Sequence, residues 1–240
     1  MINVGVVVSM LQIYRVSHHR CTWILPESDR IFSYLAFIVF LYMLMLTAIV
    51  LAAGSSRRMG KNKLLLPYGG KPLLAHVVRS ILSAHVGPVI VVTGHEAEQT
   101  ERVLKGLEVT LVHNPRYEEG MTSTIQAGVA DASGEGYMIC LSDMALIDPD
   151  EYRFLKNTFN KQYPHDKACI IQPTHDNQIG NPVIFSAAWR EAILEHAGPE
   201  GCKGILHAHP ENIYQVEMRS ASVLQDVDWP DDYDRLSQSF

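Results

Sequence analysis

The chain has 240 residues, 47% of them hydrophobic and 19% charged, with a net charge of −6 at pH 7. That length can bury one sizeable core, and the negative balance excludes a general attraction to nucleic acid or anionic lipid, so any anion site must be local. Four cysteines, Cys21, Cys140, Cys169 and Cys202, lie too far apart for a zinc site or a disulfide scaffold; they read as reduced thiols of a cytoplasmic protein, with Cys140 and Cys169 in the core.

Residues 31–53, IFSYLAFIVFLYMLMLTAIVLAA, carry no charge, and their length and composition meet the test for a membrane-spanning helix. The last third, LTAIVLAA, is also the strand that leads into Gly54, and one segment cannot be both a lipid-buried helix and a central strand. A short membrane anchor, a signal-like segment and an upstream extension outside the working protein are the three readings. No small-residue cleavage site separates the run from the strand, and residues 1–30 show no periodicity. The extension is therefore the preferred reading, with translation starting near Met43 or Met45. The expected organisation is an apolar extension over residues 1–45, membrane attachment being the minor alternative, and one domain over residues 46–240.

From residue 46 onward, apolar runs alternate with amphipathic segments. TAIVLAA reads as a strand and residues 72–84 as a helix, with Leu73, Leu74, Val77, Val78, Ile81 and Leu82 on one face; GPVIVVTG follows as a strand. AEQTERVLKGL then reads as a helix, VTLVHNP as a strand, MTSTIQAGVADA as a helix and GYMICLSD as a strand buried on both faces. DPDEYRFLKNTFNKQ is a helix opened by Asp148, with Pro149 in its first turn. KACIIQP and NPVIFS are strands of an expected hairpin around HDNQIG. Helices in AAWREAILEHAG and EGCKGILHAHP, a strand in IYQVEM and a terminal helix in WPDDYDRLSQ complete the chain. Such alternation predicts an α/β fold with a mostly parallel sheet.

The first strand empties into LAAGSSRRMGKNK, residues 51–63. Open α/β sheets bind ligands at the carboxyl edge, where Gly54 falls. The spacing rules out a Walker loop, because five residues separate Gly54 from Gly60 and Lys61 is followed by Asn62; the dinucleotide fingerprint G-x-G-x-x-G is absent as well. Small residues that let backbone N–H groups approach a phosphate are followed by Arg57, Arg58, Lys61 and Lys63, a set suited to a polyanion.

This loop resembles, position by position, the L-A-A-G-x-S-x-R-M-G-x-x-K signature of the nucleotidyltransferases related to molybdenum cofactor cytidylyltransferase and guanylyltransferase. The resemblance continues through YGGKPLL, VVTGH, NPRYEEGMTSTIQAG, LSDM, GNPVIF and DVDWPDDY, covering residues 46 to about 236. It implies a three-layer Rossmann-like nucleotidyltransferase fold with a nucleoside triphosphate beneath the first loop. The nucleotide-binding residues would be Leu51, Ala52, Ala53, Gly54, Ser55 and Ser56, then Thr93 and Gly94, then Gly120, Met121, Ser123 and Thr124 bordering base and ribose. Mg2+ would be held by Asp143 and by a second carboxylate, with Asp228 the better match and Asp226 the reserve. The residues alone leave plainer roles open. A strand-end aspartate can cap a helix, acidic residues ahead of the terminal helix can serve its dipole, and Thr122 or Ser123 can be caps.

The implied reaction is cytidylyl transfer from CTP to the terminal phosphate of molybdopterin, releasing pyrophosphate, with a molybdenum hydroxylase as downstream partner. The catalytic set is Arg58, Lys63 and Asp143. In the resembling families an alanine at position 53 goes with cytidylyl transfer and a glycine with guanylyl transfer. Three departures concern the acceptor side: Ala145 in place of a proline, Pro199 in place of an aspartate, and Trp229 in place of a threonine. His95, His113, His175, His207 and His209 read as surface or structural residues. A sugar phosphate or other phosphorylated acceptor, and a non-catalytic cofactor chaperone, are the rival readings.

Overall fold

The computed structural model describes residues 46–237. The expectations for residues 1–45 lie outside the described residues. Strand β1 (Leu46–Ala52) forms the centre of the sheet, flanked on either side by β4 (Val89–Thr93) and β6 (Gly136–Leu141), both parallel to it. Beyond β4 lies β5 (Thr110–His113), also parallel. Beyond β6 come β9 (Val183–Ser186), β7 (Ile170–His175) and β10 (Ile213–Glu217). Because β9 pairs antiparallel with both β6 and β7, it alone on this path runs against the others, and the sheet is mostly parallel.

Helices cover both faces, giving three layers. Alternate residues of β1 divide between them: Ala48 and Val50 face α1 (Leu73–Ser83) and α4 (Pro149–Gln162), with Leu74, Val78, Tyr152 and Phe159 in that core. Ile49 joins the opposite core with Ile125 and Val129 of α3 (Met121–Asp131) and Ile193 of α5 (Arg190–Glu195). Gly128 sets the closeness of α3 to the sheet: a Cβ there would lie 2.3 Å from Ile49 Cγ2. The α4 helix starts as the sequence predicts. Asp148 accepts the Glu151 N–H at 2.9 Å, and the Glu151 carboxylate accepts the Asp148 N–H at 3.1 Å.

Two elements differ from the sequence reading. The helix expected over residues 97–107 stops after α2 (Ala97–Arg102), and turns that put Gly106 at a φ of 84° tuck Leu104 into the core. The expected hairpin is present, with β9 antiparallel to β7, but its connection contains a strand of its own. Asp176 and Asn177, both at positive φ, turn the chain tightly into β8 (Gln178–Ile179), which pairs back on β7. The short elements β2 (Pro67–Tyr68), β3 (Lys71–Pro72), α6 (Lys203–Ala208) and α7 (Pro230–Ser237) complete the described fold.

Cys140, Cys169 and Cys202 are free and buried, and burial pushes the Cys202 thiol up to about 12. Among the described residues no helix is long and apolar enough to cross a membrane.

Candidate active site

Strand register gathers the site at one edge. Ala52 pairs with Thr93 and Leu51 with Leu141, so the segments leaving β1, β4 and β6 emerge side by side. They border a cavity of about 820 Å³ lined by Leu51, Ala53, Gly54, Ser55, Ser56, Arg58, Lys63, Gly120, Met121, Thr124, Asp143, Asp226 and Asp228 among others. The remaining predicted nucleotide residues stand behind this wall. Ala52 is buried. Thr93 is buried too, with its hydroxyl on Glu101 at 3.0 Å. Gly94 permits a close approach, because a Cβ there would fall 2.6 Å from the Tyr117 Cβ and 2.8 Å from the Ala53 Cβ.

The basic loop is held by its own bonds. Met59 and Leu64 are buried anchors. The Lys63 N–H donates to Ser56 Oγ at 3.3 Å, and Asn62 Oδ1 accepts the Leu64 N–H at 3.1 Å, capping the turn Lys63–Leu65. Lys63 therefore points inward, its side chain 14% exposed, whereas Arg58 reaches outward at 61%.

Lys63 Nζ lies 2.5 Å from Asp143 Oδ2 and 2.9 Å from Asp228 Oδ1, and Arg58 holds Asp228 Oδ2. Burial by itself would lower the Lys63 pKa, but the Asp143 and Asp228 carboxylates outweigh it and raise it, keeping the ammonium charged. The Lys63 hydrogen bond, aided by Arg58, draws the Asp228 pKa down against a smaller opposing effect of burial. Asp226 is pushed up, first by burial and then by its neighbours Asp143 and Asp228.

These three carboxylates offer oxygens within 4.8 Å of one another. Asp143 Oδ1 is buried without a hydrogen-bond partner, and a buried unpaired carboxylate oxygen is costly unless something fills its coordination. An all-oxygen set with one orphaned atom fits a hard divalent cation such as Mg2+ or Mn2+. Ser142 anchors the aspartate's backbone by donating its hydroxyl to the Leu51 carbonyl at 2.6 Å.

Near Thr124 the cavity is backed by neutral hydrogen bonds. Buried Asn114, which the sequence reading passed over, donates from Nδ2 to Ser123 Oγ at 3.0 Å and Thr124 Oγ1 at 3.2 Å, while its Oδ1 accepts the Arg116 N–H at 2.9 Å. Ser123 donates back to the Arg116 carbonyl, 2.8 Å away. Thr122 accepts the Gly201 N–H at 3.0 Å and hydrogen-bonds the Gly198 carbonyl. Ser123 and Thr122 thus fix the backbone, and Thr124 reaches the cavity. An isolated Asn before a proline at a strand end was the available signal for Asn114.

His95 also lines the cavity, its ring 6.1 Å from Tyr117. Of the other histidines singled out, His113 and His207 are exposed, His209 packs on Trp189 at 4.7 Å, and His175 Nδ1 hydrogen-bonds the Met218 carbonyl at 3.1 Å. Among the three departures, Ala145 borders a smaller cavity of about 450 Å³ that shares Asp143 and Asp226 with the large one. Pro199 lies beside Gly120, its carbonyl 3.2 Å from the position of a Gly120 Cβ, and Trp229 faces Arg58.

The molybdenum cofactor cytidylyltransferase of Escherichia coli (strain K12) is 27% identical over 186 residues, 77% of this chain and 92% of that one. A nucleotidyl transferase structure from Methanothermobacter thermautotroptrophicus superposes with a TM-score of 0.71 at 25% identity, covering 81% of this chain and 97% of the other. CMP:2-keto-3-deoxy-manno-octonic acid synthetase complexed with CTP shares the fold, with a TM-score of 0.66 at 16% identity over 81% and 98% of the two chains. The MobA-like NTP transferase domain matches residues 48–213. With its sheet edge, basic loop and carboxylate trio so arranged, the chain belongs to the MobA-like NTP transferase family and is a nucleotidyltransferase.

Proposed function

We propose that the protein transfers a cytidylyl group from CTP to the terminal phosphate of a molybdopterin-type cofactor, releasing pyrophosphate, in the cytoplasm and upstream of a molybdenum hydroxylase. Residues 46–240 are the transferase unit in this reading, and residues 1–45 an apolar extension outside it. The observation that carries it is the half-buried Lys63, lining the cavity and held between Asp143 and Asp228, beside an orphaned carboxylate oxygen.

The acceptor phosphate is already an anion near neutral pH, so the reaction needs no general base. The protein must instead offset repulsion between two anions and stabilise charge spreading over the α-phosphoryl oxygens. Lys63, exchanging its carboxylate partners for phosphate oxygens, serves the reacting phosphates. Arg58, reaching from the outer side of the loop, serves the departing pyrophosphate. Gly54, Ser55 and Ser56 keep side-chain bulk away from the phosphates. Asp143 and Asp228, with Asp226 in reserve, would hold Mg2+, which would supply positive charge against the triphosphate. Ala53 narrows the wall where the base sits, and its resemblance to the cytidylyl-transferring families supports CTP over GTP.

The test mixes the purified protein and Mg2+ with labelled CTP or GTP and molybdopterin. Pyrophosphate release with CTP alone is expected. Release only with a sugar phosphate acceptor, or nucleotide binding without release, would replace this reading by one of its rivals.

A further inference from the structure

We propose that Trp229 is a positioning residue for Arg58: its indole face holds the guanidinium on the phosphate side of the cavity when Asp228 is engaged by a cation. This rests on the nucleotidyl-transfer reading above. Arg58 extends from the loop on a side chain 61% exposed, and long exposed side chains lose entropy when they are fixed. Two contacts hold it, the Asp228 carboxylate and the Trp229 ring, whose centroid lies 5.7 Å from the guanidinium carbon.

The two contacts treat the charge differently. A carboxylate neutralises the cation it binds and occupies its N–H donors, so Asp228 and a pyrophosphate compete for Arg58. An aromatic face attracts the cation through its quadrupole and leaves the N–H edge free for phosphate oxygens. Once Asp228 turns its oxygens to a divalent cation, the ring is the hold that does not compete with the ligand.

The indole is braced from behind. Asp232 Oδ2 accepts the backbone N–H groups of Asp228 at 3.1 Å and Trp229 at 2.8 Å. The Trp229 carbonyl accepts the N–H groups of Asp232 at 3.0 Å and Tyr233 at 3.3 Å, and Pro230 follows as the first residue of α7. The Tyr233 hydroxyl donates to the Pro67 carbonyl at 2.5 Å, tying α7 to β2, just beyond the basic loop. Trp229 thus projects from a fixed helix start while remaining 55% exposed, which core packing does not explain and a cation platform does.

The test reads pyrophosphate affinity in the presence of Mg2+, a measurement independent of base and acceptor, in the full-length protein. Trp229→Leu removes the aromatic face, and Trp229→Phe keeps one. The Leu variant should bind pyrophosphate about 2- to 5-fold more weakly, the range of an exposed cation–aromatic contact, and the Phe variant should stay close to wild type. In an Arg58→Ala background, Trp229→Leu should have no further effect. Pyrophosphate with Mg2+ should change the tryptophan emission of the wild type, and that change should vanish in Trp229→Phe. A Leu variant equal to wild type, a Phe variant as weak as Leu, or an undiminished loss in the Arg58→Ala background overturns the proposal. A wild-type protein that binds neither CTP nor pyrophosphate overturns the transfer reading itself, which the Trp229 variants leave untouched.

Discussion

Lys63, Arg58, Asp143 and Asp228 line the large cavity and hold one another by ion pairs, whereas behind Thr124, which also lines it, Asn114 holds Ser123 and Thr124 by neutral hydrogen bonds. The ion pairs are exchangeable. A divalent cation can take the carboxylates and phosphates can take the cations, so each charge finds a partner in either state. The neutral bonds are committed, because breaking them would leave buried donors and acceptors unpaired. In the proposed reaction one wall would respond to charge developing in the transition state, while the other would be a fixed surface against which a base is selected. Substitutions on the two walls should fail in different ways.

The largest effect is expected on the charged wall. Lys63→Ala and Asp143→Asn should each lower the transfer rate on the order of 100-fold to 1000-fold, the usual consequence of removing one preorganised charge. Single-turnover kinetics would measure this, with melting curves confirming that the variants are folded. Lys63→Ala should also lose thermal stability that added Mg2+ restores, since the crowded carboxylates Asp143, Asp226 and Asp228 are left without their shared cation. Near-full transfer by either variant would remove the exchangeable wall from the mechanism.

On the neutral wall the cost should appear in nucleotide binding. Asn114→Ala removes two donated bonds and strands the Arg116 N–H, at a cost of about 1–3 kcal/mol. The KM for nucleotide should rise while kcat changes little, because the turn that carries Gly120 loses its tie to β5. Gly94→Ala attacks the same wall by overpacking. The new Cβ meets Tyr117 and Ala53 at distances that backbone or ring must yield to, at about 1–3 kcal/mol. A fall in kcat with an unchanged KM in either variant would mean that the neutral wall also takes part in the chemistry.

The difference between the walls also accounts for what could be read from the sequence. Buried parallel strands show as continuous apolar runs, so β1, β4 and β6 were legible, and a basic loop leaving such a strand through glycine marks an anion site from local pattern alone. Resemblance to the nucleotidyltransferase signature, rather than local pattern, singles out Arg58, Lys63 and Asp143 from the other charges. The pairing of Lys63 with Asp228 joins residues 165 positions apart, and no local signal carries it. Asn114 escapes the sequence reading for a related reason: its partners Ser123 and Thr124 meet it only after the chain turns through Tyr117–Glu119 into α3. His95 reads as a surface residue because its neighbour Tyr117 is brought beside it by tertiary packing, which periodicity does not report.

The smallest effect tests whether the β1 loop takes part in choosing the base. Ala53 is 2% exposed, yet it borders the cavity, and its carbonyl accepts the His95 N–H at 3.1 Å, so its methyl group is held in place between β1 and the Gly94 turn. One methyl-sized change in a pocket wall is worth about 1–3 kcal/mol of discrimination, and the low end applies where neighbours can relax. Ala53→Gly should therefore move the CTP-to-GTP ratio of kcat/KM roughly 10-fold toward GTP, while leaving the dependence of the rate on Lys63 intact. Competition assays with both nucleotides and Mg2+ measure the ratio directly. An unchanged ratio would shift base selection from the β1 loop to the Gly120–Thr124 stretch, whose backbone is fixed by Asn114 rather than by any group that touches the phosphates.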